Sequence, residues 1–416
     1  MATRVGPMTL KPLFWVVATG VLVRLAVVIL DPLPEGLGRL EPSVIAEHLN
    51  AGRGFVYEQY GTEYRAWKEP LYVVLLAQIM RRTGDSPWLV MGAQWLFGLG
   101  TALGMWWVAR RLLSDSTKAT LAGMLTAANP FLVYYDTHWI HPLSLDALCF
   151  VLVIGTILMA AKDDAKARHL VWAGLTMGVA LWQRAALLTA GLFAWLITVV
   201  TTPRARRLTV TTRAAIWLVV AMAVISPWLM RNVRLFHRPV FTTDFAHIVW
   251  LGNNPWSNGT YSDVEGRRVI VHADTAFLAK LEGASELEQS DLFWVEARRF
   301  IQDHPGQFAL LVGRRLWAFV WFSPNAGIGY AAWQGTLYRA AYAGLLALGL
   351  VGFWGFWRRA GPEARRRAVL LGAAVAGLAT VHSLTAMNMK HRLPLELALA
   401  VFAAEALVCR ISPREA

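Results

Sequence analysis

The run FWVVATGVLVRLAVVIL, residues 14–30, is long and apolar enough to cross a lipid bilayer as a single helix. Only two basic residues, Arg4 and Lys11, precede it, and Asp31-Pro32-Leu33-Pro34 follows it in place of a small-residue cleavage site. Because a secretory signal peptide would end in such a cleavage site, we expect a retained membrane span.

Similar apolar runs recur along almost the whole chain. Of its 416 residues, 56% are hydrophobic, only 16% are charged and 20 are tryptophan, which is too apolar for an ordinary soluble protein. The sequence predicts an all-α polytopic membrane protein with about 10 transmembrane helices, in a range of roughly 10–12. The predicted spans are 13–30, 87–109, 119–135, 142–161, 169–184, 185–201, 214–230, 340–357, 368–386 and 391–409.

Basic residues indicate how these spans are oriented. Lys and Arg concentrate in the loops after the second, fourth, sixth and eighth spans, and such residues are retained on the cytoplasmic side. The pattern predicts cytoplasmic termini and two extracytoplasmic segments, at about 32–86 and 231–339. Within these, Pro70 to Met80 is too short for a span, and Gln307 to Phe322 carries Arg314-Arg315 at its centre. We expect both pieces to form interfacial or re-entrant helices.

The remaining composition excludes several other classes of protein. A net charge of +13 would suggest nucleic-acid binding in a soluble protein, but here the basic residues report topology, and no nucleic-acid partner is expected. The two cysteines, Cys149 and Cys409, lie in apolar runs and provide no disulfide framework. Since no repeat or linker is visible, residues 1–416 are expected to form one membrane domain.

Motifs for nucleotide or zinc chemistry are absent, which argues against a nucleotide-driven pump. Polar residues gather instead at the outer ends of spans. The segment from Glu41 to Phe55 predicts a short helix closed by glycine, with Glu41 near its N-terminus, where capping is one role for a carboxylate. Lys68, before the short apolar piece, could hold a lipid-linked phosphate or simply extend its charge to the membrane surface.

Loose motifs follow one another in order along most of the chain. They are Ala46, Leu49, Gly52, Gly54 and Phe55; Lys68-x-Pro70-x-Tyr72; Asn129-Pro130 to Tyr134-Tyr135; Gly174, Gly178 and Arg184; Pro227-Trp228-x-x-Arg231-Asn232; Glu296-Ala297, Ile301 and His304-Pro305; and His391-Arg392-Leu393-Pro394. This series resembles the bacterial branch of the GT-C membrane glycosyltransferases, which contains the aminoarabinose transferases of lipid A and relatives of protein O-mannosyltransferases.

The resemblance implies a GT-C-like fold in a bacterial inner membrane and a site on its outer face. There, a sugar would pass from a polyprenyl-phosphate donor to a lipid, glycan or protein acceptor, with inversion at the anomeric carbon. Such a transfer needs a carboxylate to take the acceptor proton and cationic side chains to stabilise the departing phosphate. No cofactor is predicted, since the carrier lipid supplies the energy.

The resemblance also indicates site residues, with two departures from the family pattern. Gly38 and Arg39 stand where the family places its first-loop aspartate, so we expect the catalytic acid to be Glu41, with Asp31 as the alternative. His141 stands near the position of a second acid and is expected to bind substrate or handle a proton. The residues expected to bind substrate are Lys68, Tyr72, His141, Arg184, Arg231, Asn232, His391 and Arg392.

A metal site and two other functions remain as alternatives. Asp136, His138 and His141 fall within a short stretch and would suit a divalent ion, although such clusters are usually ordinary polar loop residues. A transporter or flippase for a lipid-linked saccharide would also need cations near a lipid phosphate, but it should show repeats and polar residues in mid-membrane. A non-catalytic envelope relative of these enzymes is the third hypothesis, because the first two loops are unusual.

Overall fold

The computed structural model of the protein describes residues 10–32, 37–84, 86–323 and 331–411. Residues 33–36, 85 and 324–330 of the two polar segments, and the side chain of Cys409, lie outside this description. The helices are α1 (Leu10–Leu30), α2 (Glu41–Asn50), α3 (Pro70–Thr83), α4 (Pro87–Leu113), α5 (Ser116–Ala127), α6 (Pro130–His138), α7 (Leu143–Ala160), α8 (Ala167–Gln183), α9 (Leu187–Thr201), α10 (Arg204–Phe236), α11 (Asp244–Gly252), α12 (Thr275–Glu282), α13 (Glu286–Asp303), α14 (Pro305–Val320), α15 (Ala332–Arg359), α16 (Pro362–Leu384) and α17 (Leu393–Ile411).

Each predicted span coincides with helical structure, which confirms the all-α class. Among the described residues, six helices are long and apolar enough to cross a membrane by themselves, namely α1, α4, α7, α10, α15 and α16. The shorter α9 is also apolar. The number of helices that cross the bilayer stays a prediction.

The third predicted span, 119–135, is not one helix but two. The chain breaks between α5 and α6, where the Asn129 side chain accepts a hydrogen bond from the Leu132 N–H and caps α6. Pro130 is the first residue of α6, a position that suits proline because its nitrogen carries no hydrogen. This break turns the end of α6, with Asp136 and His138, into the interior of the protein.

The extracytoplasmic segment predicted between the first two spans contains α2, a hairpin and α3. The hairpin strands are β1 (Tyr57–Gln59) and β2 (Thr62–Tyr64), and the two residues that join them, Tyr60 and Gly61, both have positive φ. Two such residues form the type of turn that matches the twist of paired strands. As predicted, α2 begins at Glu41 and is followed by a glycine, Gly52, with φ of +77°.

The second apolar piece with internal arginines forms α14. Arg315 on this helix is buried and donates hydrogen bonds to the carbonyls of Gly252, Gly259 and Ser383 and to Asn253 Oδ1. The guanidinium therefore joins α14 to the end of α11, the loop that follows it and the end of α16. This internal role explains why a cation can occupy the centre of an otherwise apolar helix.

A buried ion pair holds α1 against the rest of the helices. Arg24 Nε and Nη2 donate to Asp136 Oδ2 at 2.9 and 2.5 Å, and both side chains are fully buried. Ser144 donates to the other carboxylate oxygen. Gly98 of α4 faces the pair, and a Cβ at this position would collide with both groups.

Replacing Arg24 should therefore destabilise the protein strongly. In R24M the Asp136 carboxylate keeps its burial but loses its counter-charge, and we expect a loss of about 3–5 kcal/mol in the free energy of unfolding. Unfolding in mixed detergent micelles would measure it. R39M removes an exposed partner of Glu47 and should cost less than about 1 kcal/mol. An R24M effect no larger than that of R39M would contradict the prediction, and the double variant R24M/D136L should recover much of the loss.

Candidate active site

Lys68 stands at the centre of a group of charges contributed by distant parts of the chain. Its Nζ lies 2.9 Å from Asp244 Oδ2, at the start of α11, and 3.9 Å from Glu41 Oε1, at the start of α2. Burial opposes the charge of Lys68, but the carboxylates of Asp244 and Glu41 outweigh it and raise its pKa. The amine is therefore held as an ammonium.

Glu41 is ionised in this arrangement. The charge of Lys68 lowers the pKa of Glu41, against the effect of burial. The Glu41 side chain is about one-third exposed, at 35%, and it lines the largest cavity that this group reaches. A carboxylate that is charged, accessible and next to a cation can accept a proton from a bound hydroxyl.

The loop that carries Lys68 is fixed by Glu286, the first residue of α13. The Glu286 carboxylate accepts hydrogen bonds from the N–H groups of Arg65 and Ala66 and from the Thr243 hydroxyl. The Thr243 N–H in turn donates to the Ala66 carbonyl at 2.9 Å. Lys68 and Asp244 are therefore brought together by their backbones and not only by their charges.

The Pro227-Trp228-x-x-Arg231-Asn232 motif supports the segment that precedes Asp244. Trp228 Nε1 donates to the Phe241 carbonyl, and Asn232 Nδ2 donates to the carbonyls of Val240 and Phe241. The Arg231 guanidinium lies over the Trp228 ring at 4.7 Å and donates to Asn232 Oδ1. The motif thus holds the segment that leads to Asp244.

Two neighbouring cavities share Glu41 and Lys68 among their lining residues. The outer cavity, of about 750 Å³, is lined by aromatic residues that include Tyr57, Trp67 and Tyr261. The inner recess, of about 70 Å³, is lined by the side chains of Glu41, Lys68, Tyr72, His141, Arg184 and Lys390, among others. Glu41, Lys68 and Lys390 line both spaces, so a ligand in the outer cavity can reach the cations of the recess.

Three basic side chains, Lys68, Arg184 and Lys390, line the recess beside the carboxylates of Glu41 and Glu69. Arg184 follows α8 and donates to Asp146 Oδ2 at 3.3 Å and to His391 Nε2 at 3.2 Å. Lys390 belongs to a 3-10 turn at Met389–Arg392. Burial, together with the charges of Arg184 and Lys68, lowers the pKa of Lys390 to about 8. Such a recess suits a phosphate.

Several residues named from the sequence meet at this recess. Tyr72 and His141 share one acceptor on α4, because the Tyr72 hydroxyl and the His141 N–H both donate to Gln94 Oε1, at 2.7 and 2.9 Å. Glu41, Lys68 and Arg184 complete the group. His391 lies beside it and lines a smaller adjoining cavity with Arg184 and Lys390.

The structure does not bring the other expected residues to the recess. The Asp31 carboxylate accepts from Gln334 Nε2 at 2.6 Å, lies 3.0 Å from His138 Nε2, and lines a separate cavity. Arg392 is buried on the opposite side of the 3-10 turn, 3.1 Å from Glu396 and 2.6 Å from the Tyr338 hydroxyl. As described above, Arg231 and Asn232 support the loop before Asp244. A phosphate site formed by Lys68, Arg184, Arg231 and Arg392 together is therefore not what the fold assembles.

The three residues considered for a metal also have separate partners. Asp136 pairs with Arg24, His138 Nδ1 lies 2.7 Å from the Thr137 hydroxyl, and His141 Nδ1 accepts from the Leu143 N–H. Within the described ranges no group of three acidic, histidine or cysteine side chains is arranged to hold a metal ion.

Sequence reasoning missed Asp244, Lys390 and Glu286. Lys390 directly precedes the His391-Arg392 motif and could have been included on that ground. Asp244 and Glu286 have no such local signal, because their partners lie 176 and about 220 positions away in the chain.

Comparison with known proteins supports the fold. A family model described as dolichyl-phosphate-mannose-protein mannosyltransferase matches residues 68–230, well under half of the chain. No curated protein matches by sequence. Among solved structures, the archaeal oligosaccharyltransferase AglB from Archaeoglobus fulgidus, in complex with an inhibitory peptide and a dolichol-phosphate, has a TM-score of 0.52 at 15% identity, covering 96% of this chain and 51% of that one.

Two further structures are similar. The Archaeoglobus fulgidus oligosaccharyltransferase in complex with Zn and sulfate has a TM-score of 0.56 at 18% identity, covering 94% of this chain and 48% of that one. ArnT from Cupriavidus metallidurans, bound to undecaprenyl phosphate, has a TM-score of 0.47 at 17% identity, with coverages of 96% and 78%. The chain spans about half the length of the oligosaccharyltransferase chains. The predicted fold, that of a GT-C-like multi-pass membrane protein, is confirmed.

Glu286 offers a test of how the site is held together. In E286A the N–H groups of Arg65 and Ala66 and the Thr243 hydroxyl lose their acceptor, and we expect a loss of about 1–3 kcal/mol in the free energy of unfolding. Faster proteolysis between residues 60 and 70 should accompany it. The exposed neighbour variant E282A is the matched control and should behave as the unmodified protein. Equal stability of the two variants would show that Glu286 does not anchor the loop.

Proposed function

We propose that this protein transfers a sugar from a polyprenyl-phosphate donor to an acceptor hydroxyl, with inversion at the anomeric carbon. The observation that carries the proposal is the position of Glu41. Its ionised carboxylate stands 3.9 Å from the Lys68 ammonium, where a wide outer cavity meets a recess that is also lined by Arg184 and Lys390. A proton acceptor and a phosphate-binding group are thus adjacent, as an inverting transfer requires.

In the proposed reaction the donor phosphate lies in the recess and the acceptor enters through the outer cavity. The acceptor oxygen forms a bond to the anomeric carbon while its proton passes to Glu41. The bond between that carbon and the phosphate oxygen breaks, and its electron pair remains on the phosphate. Lys68 and Arg184 stabilise the added negative charge.

The acceptor side has a different chemical character from the recess. The rings of Tyr57 and Trp67 are stacked with centroids 5.8 Å apart, and both line the outer cavity. His247 is buried there, and burial together with the charge of Lys68 lowers its pKa to about 4, so it is neutral. Aromatic rings beside charged and polar side chains suit the sugar portion of an acceptor.

The proposed location is the extracytoplasmic face of a bacterial inner membrane. The concentration of Lys and Arg in the opposite loops supports this orientation. The structural similarity to an oligosaccharyltransferase that holds a dolichol-phosphate supports a lipid-phosphate donor.

The test is a transfer assay on purified, detergent-solubilised protein with a panel of polyprenyl-phosphate sugars and with lipid, glycan and peptide acceptors. Loss of sugar from the lipid, measured with and without a chelator, would identify the donor and any need for a metal. Binding of a donor without turnover, together with movement of the donor from one leaflet of a liposome membrane to the other, would instead support a transporter. Binding with neither activity would favour a non-catalytic relative.

Glu41→Gln should abolish transfer and leave donor affinity nearly unchanged. The amide keeps the size of the side chain but accepts no proton, so the loss falls on kcat and not on donor binding. Turnover of a saturating donor, and donor binding measured separately, would separate the two effects. Because Asp31 lies in another cavity, Asp31→Asn is the matched control and should retain transfer. Full activity of the Glu41 variant would move the base elsewhere.

Lys68→Ala should weaken donor binding by about 10- to 100-fold, since one charge-assisted hydrogen bond to phosphate is worth about 1.5–3 kcal/mol. Calorimetric titration with a donor analogue would measure the change. Lys280→Ala removes an exposed lysine of α12 and should leave affinity unchanged. Arg231→Ala should also have little effect, because Arg231 is not among the residues that line the recess. Unchanged affinity in the Lys68 variant would refute its assignment.

A further inference from the structure

Among the described residues, Lys390 is the only lysine that lines all three spaces of the site, the outer cavity, the recess and the small cavity beside His391. It differs from Lys68 in its partners. Within the part of the chain that the structure describes, no carboxylate lies within ion-pair distance of its Nζ, whereas Lys68 has two. A half-buried amine without a counter-charge is costly to keep protonated.

The hydrogen bonds of His141 indicate the state of this amine. His141 Nδ1 accepts a hydrogen bond from the Leu143 N–H at 3.0 Å, so Nδ1 carries no hydrogen. The hydrogen of the imidazole is therefore on Nε2, which lies 3.5 Å from Lys390 Nζ. An ammonium would place two donors face to face, whereas an uncharged amine can accept from Nε2 with its lone pair.

Burial and the nearby positive charges also favour the uncharged form of Lys390. Burial lowers the pKa of Lys390 most, and the positive charges of Arg184 and Lys68 lower it further. The carboxylates of Glu41 and Asp146 offset these effects only in part, so the pKa falls to about 8. The titratable and charged groups that share a space with Lys390 are Arg39, Glu41, Tyr57, Tyr60, Lys68, Glu69, Tyr72, His141, Asp146, Arg184, Asp244, His247, Tyr261, Arg268, His382 and His391.

We propose that, at alkaline pH, Lys390 is an uncharged amine in the empty site and takes up a proton when a doubly charged lipid phosphate occupies the recess. The inference rests on the proposed function and adds a step to it. A phosphate with two negative charges is the counter-charge that the amine lacks in the empty protein. Under these conditions Lys390 gains its positive charge when the phosphate is bound.

The step conserves protons and charge. During transfer the donor phosphate changes from one negative charge to two, because it keeps the electron pair of the broken bond. The acceptor proton is on Glu41 at that point. Passing this proton to the lone pair of Lys390 Nζ restores the Glu41 carboxylate and places an ammonium beside the doubly charged phosphate.

Calorimetry of undecaprenyl phosphate binding tests the proposal without turnover. At pH 9, titrations in two buffers of different ionisation enthalpy report the number of protons taken up on binding. We expect nearly one proton for the unmodified protein and none for Lys390→Arg, whose guanidinium is always charged. Lys280→Arg, on the exposed face of α12, is the matched control and should keep the uptake.

A second measurement needs no variant. Between pH 8 and 10 the Kd of the unmodified protein for undecaprenyl phosphate should rise by up to about tenfold per pH unit, because the bound form requires one more proton. A Kd independent of pH in this range, or proton uptake that persists in Lys390→Arg, would overturn the role of Lys390 while leaving the proposed function intact. Absence of binding altogether would overturn both.

Discussion

The arrangement of the site depends on the ion pairs of Lys68. An ammonium in a poorly hydrated cavity needs a counter-charge, and here Asp244 and Glu41 supply it from two separate loops. The loops can meet only if Glu286 and Asn232 hold the intervening backbone in place. These ion pairs place Glu41 and Lys68 where both line the outer cavity and the recess.

Charge and hydrogen bonding, more than position in the sequence, distinguish supporting cations from those available to a ligand. Arg24 and Arg392 are buried beside their own carboxylates, and Arg315 is saturated by carbonyls. Their donors are already used inside the protein. Lys68 and Arg184 have carboxylate partners too, but they line a space that a ligand can enter.

Local patterns predicted most of the fold, and long-range contacts account for what they missed. Apolar runs located the helices, and the residues around Gly52 located the end of α2, because both signals are confined to neighbouring residues. The break before Pro130 is also a local signal, yet the apolar composition on both sides concealed it. Lys390 and Arg392 show the limit for the site, since residues two apart on a 3-10 turn face different spaces. No local pattern could separate their roles.

The site residues are distributed widely along the chain, and this has a consequence for biosynthesis. Glu41 and Lys68 enter the membrane early, Asp244 joins them only after ten helices have been made, and Lys390 comes near the end. A nascent chain therefore lacks the complete recess until most of its helices have been made.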